Sequence, residues 1–131
     1  MKIKLRVTIC TDDWDRLFGE GPYQLLLGIR ELGSLRSSAQ HMGMAYTKAF
    51  HMVKHLESIL GFPITRRTIG GHKGGGSVLT EEAEALISRY DAYRSACSQA
   101  AHALFDQYFN DFAPLQDAAQ SKIQDPDETA K

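Results

Sequence analysis

Tyr46, Thr47, Lys48, His51 and Lys54 bring two hydroxyls, two ammonium groups and an imidazole into one short stretch. On a helix they lie away from Ala49, Val53, Leu56 and Leu60, which repeat at steps of four, three and four and mark a core-facing stripe. That outward face carries no acid before Glu57. Cations neutralise phosphates, and hydroxyls, amines and imidazoles can pair with base edges in a major groove. A second basic group follows. Arg66, Arg67, His72 and Lys73 sit on and around a run of glycines from Gly70 to Gly76. Ahead of both, Ser34, Arg36 and Ser37 open a short helix, and a helix start with hydroxyls suits phosphate contacts that fix register. The chemistry expected is recognition of double-stranded DNA. The helix at about 45–60 would enter the major groove, and the basic hairpin at about 64–79 would lie on backbone or minor groove.

Other chemistries fit less well. His51 and His55 have the i, i+4 spacing of two metal ligands, but a third ligand is not adjacent and no HExxH occurs, so no metal and no cofactor are expected. The glycine run is not a phosphate-binding P-loop, because Lys73 precedes its last glycines instead of following them. No Ser/His/Asp or Cys/His arrangement suggests catalysis, so the chain reads as a binding protein and not an enzyme. The alternative is a protein-interaction module that uses the same architecture without DNA. Salt-sensitive duplex binding would separate the two.

The elements that must position these groups can be read from periodicity. Ile3, Leu5, Val7 and Ile9 alternate with Lys2, Lys4, Arg6 and Thr8, which predicts a half-buried strand over 1–10. Residues 11–21, with three aspartates and two glycines, read as a loop. Pro22 suits a first helical turn, Leu25, Leu26, Ile29 and Leu32 form a stripe, and Gly33 ends that helix. Ser34 caps a second helix with Leu35, Ala39 and Met42 inward and Gly43 at its end. The third helix closes at Gly61. Pro63–Ile69 and Ser77–Leu79 then make a hairpin. From Thr80 a long helix follows, with Glu81, Glu82 and Glu84 at its positive end. Ala83, Leu86, Tyr90, Tyr93, Cys97, Ala100 and Leu104 step alternately by three and four, as a coiled-coil seam does. Leu86, Tyr90, Tyr93, Cys97, Ala100 and Leu104 are therefore the expected homodimer interface. A two-fold dimer would set its reading helices about 34 Å apart, or a multiple of that, on a near-palindromic site.

Composition agrees with this layout. At 131 residues and 43% hydrophobic content the chain can bury a core. Its net charge is -1, yet residues 30–73 hold seven basic and two acidic groups, whereas residues 80–131 hold four basic and ten acidic ones. Cys10 and Cys97 form no CxxC pair, which suits a reducing, cytoplasmic setting. No signal peptide or membrane span is read. The domain expected is 1–112, mainly α with a small β part, followed by a disordered acidic tail over 113–131.

Three short helices followed by a basic hairpin is the order of a winged helix-turn-helix. Particular residues sharpen this: Gly33-Ser34-Leu35 with Ala39, Met42-Gly43-Met44-Ala45-Tyr46, Leu60-Gly61, Thr68-Ile69-Gly70-Gly71 through Gly76, and Leu79-Thr80. Over about residues 1–110 the chain resembles the N-terminal DNA-binding domain of molybdate-responsive ModE-type regulators, and more distantly LysR-type domains. Ala45 stands where that family often has serine, and Phe50 where it commonly has tryptophan. The resemblance implies a winged helix-turn-helix with an N-terminal strand and a long C-terminal dimerisation helix, acting in transcription regulation. Full-length members continue into an oxyanion-binding region. The expectation is that this chain has no such domain and does not sense molybdate by itself.

Overall fold

The computed structural model describes residues 1–69 and 76–123. In those residues the chain is mainly helical, with two small antiparallel sheets. Its contacts divide it into two units, Arg6–Tyr93 and Met1–Leu5 with the chain from Arg94. No helix among the described residues is long and apolar enough to cross a membrane.

The Arg6–Tyr93 unit opens with β1 (Ile9–Cys10) and β2 (Arg16–Phe18), which pair antiparallel, Ile9 opposite Phe18. The expected ten-residue strand is thus reduced to two residues. A strand needs a partner to satisfy its ladder, and β2, the only strand paired with it among the described residues, is three residues long. Alternation alone did not bury that segment: Leu5 and Ile9 are exposed. The expected loop over 11–21 in turn contains β2. Its run Arg16-Leu17-Phe18 is short and hidden between aspartates and glycines, yet Leu17 and Phe18 are buried.

Helix α1 (Glu20–Leu32) ends where Gly33 adopts φ 86°, a left-handed conformation that glycine takes without a steric cost, and its N–H bonds the Ile29 carbonyl. Leu25, Leu26 and Ile29 are fully buried as the stripe requires, while Leu32 is exposed and Tyr23 takes the remaining core position. Helix α2 (Leu35–His41) is capped by Ser34, and α3 (Tyr46–Leu60) stops at Gly61 with φ 80°. Ala49, Val53 and Leu56 face the core as predicted. The hairpin follows, with β3 (Thr65–Thr68) paired to β4 (Gly76–Leu79) in the register Thr65 to Leu79 and Thr68 to Gly76. Helix α4 (Glu81–Phe109) then closes the core with Ala83, Ile87 and Tyr90.

The heptad reading of α4 requires a correction. Tyr90 is 3% exposed in a single chain, its ring 5.0 Å from Phe18 and 5.1 Å from Tyr23. Leu86 also packs on that core. Tyr90 is thus spent on its own chain's core, whereas Leu86 is half-buried and keeps part of its surface. Tyr93 and Leu104 are exposed, Ala100 too, and Cys97 is half-buried.

In the second unit, α4 continues to Phe109 and α5 (Ala113–Ile123) follows after a short turn. The expectation of a disordered segment from 113 is corrected over that range. Ala113, Ala118, Ala119 and Leu115 have good helix propensity, and Pro114 lies in the first turn, where its missing N–H costs nothing. The rest of the expected tail lies outside the described residues. Phe105 stacks on Phe109 at 5.0 Å, and Phe109 meets Phe112 edge-on at 6.1 Å.

Candidate nucleic-acid interface

Helix α3 presents Tyr46, Thr47, Lys48, His51 and Lys54 at the surface. What aims them is the stop of α2. Gly43, at φ 67°, donates to the Gln40 carbonyl, and Met44 N–H returns to the Ala39 carbonyl at 2.8 Å. These two bonds fix how α3 leaves α2. Ser38 fixes α2 on α1: it is fully buried, and its hydroxyl donates to the Leu25 carbonyl at 2.7 Å.

The surface of α3 is a ladder of two rings with a cation at each end. The Arg36 guanidinium lies 4.2 Å from the Tyr46 ring centroid. Tyr46 is 6.2 Å from Phe50, and the Lys54 ammonium is 5.4 Å from the Phe50 ring centroid. Arg36 therefore joins the start of α2 to the start of α3 through a contact that attracts a cation to an aromatic face. Ser34 and Ser37 are tied to each other: Ser37 N–H donates to Ser34 Oγ at 3.0 Å, and the two hydroxyls are 2.9 Å apart. Their chief work is thus to cap α2, close to Arg36.

Lys54 also pairs with Glu57 Oε1 at 3.1 Å, and Glu57 Oε2 accepts from the Ile64 N–H at 2.8 Å. The acid that ends the basic face of α3 thereby anchors the entry to the hairpin. Thr80 anchors the exit. Its N–H reaches the Ile64 carbonyl at 3.0 Å, its hydroxyl donates to the Pro63 carbonyl at 2.7 Å, and the same oxygen accepts from Ala83 N–H to start α4. A third tie runs from Ser77 N–H to the Gly33 carbonyl at 2.8 Å. A Cβ at Gly76 would meet that carbonyl oxygen at 2.5 Å, so the hairpin lies against the α1–α2 turn too closely for any other residue there.

Arg66 and Arg67 are both exposed on β3. Neighbouring strand residues point to opposite faces, so Arg66 shares its side with Val78 and Arg67 with Ser77. The two arginines accordingly serve different sides of the hairpin. His72 and Lys73 lie outside the described residues. The structure gathers Arg36, Tyr46 and Lys54 into one ladder and adds two residues that sequence reasoning passed over. Phe50 is one, visible in hindsight as an aromatic four residues from Tyr46. Glu57 is the other, and nothing in the sequence signals its bond to Ile64.

No model of a known protein family matches the chain. Individual relatives do. Over 84 residues, 64% of this chain and 33% of the relative, it is 32% identical to the transcriptional regulator ModE of Haemophilus influenzae. Over 75 residues, 57% of this chain and 28% of the relative, it is 33% identical to the molybdenum-pterin-binding protein MopB of Rhodobacter capsulatus. MopA of the same organism, also a molybdenum-pterin-binding protein, is 29% identical over 77 residues. The chain spans about a third of the length of the curated relatives it matches.

Proposed function

We propose that this chain is a winged helix-turn-helix DNA-binding protein that regulates transcription as a homodimer. Helix α3 enters the major groove and the β3–β4 hairpin follows the adjoining backbone or minor groove. The observation that carries this reading is the outward face of α3. It is uncovered, holds Lys48, His51 and Lys54, and is braced on α2 through Arg36 and Tyr46. Similarity to the transcriptional regulator ModE supports the regulatory role. MopA and MopB, whose names give molybdenum-pterin binding, match this chain over 29% and 28% of their length.

The test is duplex binding across a salt series. Affinity should fall steeply with ionic strength, in proportion to the phosphates neutralised. Lys48→Ala should weaken binding by about 1–3 kcal/mol and relax preference at one base pair if it reads a base. An unchanged preference with lower affinity would make Lys48 a phosphate contact. Duplex binding that is absent at low salt would leave the protein-interaction alternative in its place.

The dimer is proposed to form on the later part of α4, where Ala100 and Leu104 are exposed. Tyr108, Phe109 and Phe112 extend the same unit's exposed apolar surface, which marks an interaction face. Leu104→Asp places a charge there without touching the Arg6–Tyr93 core. It should convert a dimer to a monomer in light scattering at micromolar concentration while the melting of that core is retained. A wild-type chain that already scatters as a monomer would dispose of the dimer.

A further inference from the structure

We propose that Phe50 reads the C5-methyl group of a thymine, and so sets specificity at one base pair of each half-site. This deepens the DNA-binding reading and rests on it. Phe50 is 39% exposed and takes no part in the buried core. An exposed phenyl ring on a helix face leaves apolar surface in water, which burial in a complex would recover. The ring is also held in place. Tyr46 lies 6.2 Å away at 33°, His51 meets it at 6.1 Å and 73°, and the Lys54 ammonium sits 5.4 Å from its centroid. A ring fixed in advance loses little rotamer freedom on binding.

Its chemistry selects the target. A phenyl ring has no donor or acceptor, so it cannot pair with the N7, O6, N6 or N4 groups that mark guanine, adenine and cytosine. The thymine methyl is the one apolar group that a base pair displays in the major groove. The flanking charges bear on the occupant. Arg36 and Lys54 stand at the two ends of the aromatic pair, with Lys48 on the same helix, and this favours an apolar contact framed by phosphates over an apolar protein surface. Phe50 thus supplies the methyl contact while its cationic neighbours hold the strand.

The experiment uses the full chain and a duplex selected from a random library. Each thymine is replaced singly by deoxyuridine, which removes only the methyl, and affinity is read by fluorescence anisotropy. Wild type should lose about fourfold (~0.8 kcal/mol) at one thymine per half-site, the worth of one buried methyl-sized group. Phe50→Ala should bind the thymine duplex more weakly and be indifferent to the replacement at that position. Phe50→Leu keeps an apolar side chain and should retain a preference for thymine. Putting 5-methylcytosine in place of cytosine at that position should restore part of the lost affinity for wild type alone. Wild type that binds the duplex but ignores every deoxyuridine, or Phe50→Ala with the same thymine preference as wild type, overturns the assignment and leaves DNA binding standing. A library from which wild type enriches no duplex overturns both.

Discussion

Tyr90→Ala is expected to lower the unfolding free energy by about 4 kcal/mol, the range for truncating a buried aromatic. The ring is 3% exposed and packs at 85° against Phe18, an edge-to-face contact that adds to simple burial. The hydroxyl donates to the Val7 carbonyl at 2.7 Å, which ties the segment ahead of β1 to α4. Tyr90→Phe keeps the ring and removes that bond, so it should cost only about 1 kcal/mol. Urea titration at several protein concentrations separates this account from a role between subunits. A core residue lowers the midpoint equally at every concentration, whereas a seam residue acts through association. A loss below 1 kcal/mol for Tyr90→Ala, accompanied by a shift to monomer, would return Tyr90 to the dimer seam.

That case shows where periodicity stops being informative. The steps of three and four along α4 correctly mark one helix face. They do not say what covers it, because an intramolecular core and an intermolecular seam require the same apolar repeat. Tyr90 is covered by Phe18 of β2 and Tyr23 of α1 in its own chain, while Leu104 is left exposed. The opposite error occurs at the N-terminus. Alternation over 2–9 has the period of a strand, but strand formation depends on a partner, and only Ile9 and Cys10 find one. By contrast, α1, α2 and α3 were legible nearly to the residue, because Ser34, Gly33, Gly43 and Gly61 impose ends through local bonds and left-handed backbone. The basic face of α3 followed from that phase. Its aromatic ladder did not, since stacking of Arg36 on Tyr46 joins two helices whose relative placement no local pattern encodes.

Gly28→Ala should destabilise the protein by about 2 kcal/mol, although alanine is the better helix former by about 1 kcal/mol. The reason is the approach of α2 to α1. A Cβ at Gly28 would stand 2.0 Å from Ser38 Oγ and 2.9 Å from Ser38 Cβ. Turning the serine side chain relieves the first contact and not the second, and it breaks the bond from Ser38 to the Leu25 carbonyl. The helices must then separate. Overpacking of a core costs about 1–3 kcal/mol and the lost bond about 1 more, which together exceed the gain in helix propensity. For a unit of this size the melting temperature should fall by roughly 10 °C. Duplex affinity should fall with it, because Arg36 rides on α2 and braces α3. Ser38→Gly in the same chain removes both offending atoms and leaves the Cα of residue 38 at 3.4 Å, an ordinary contact. The double variant should therefore be more stable than the sum of the single losses by at least about 1 kcal/mol, a coupling expected of side chains in direct contact. Gly28→Ala as stable as wild type, or a double variant whose losses simply add, would mean that α1 and α2 are not held at the distance this contact requires.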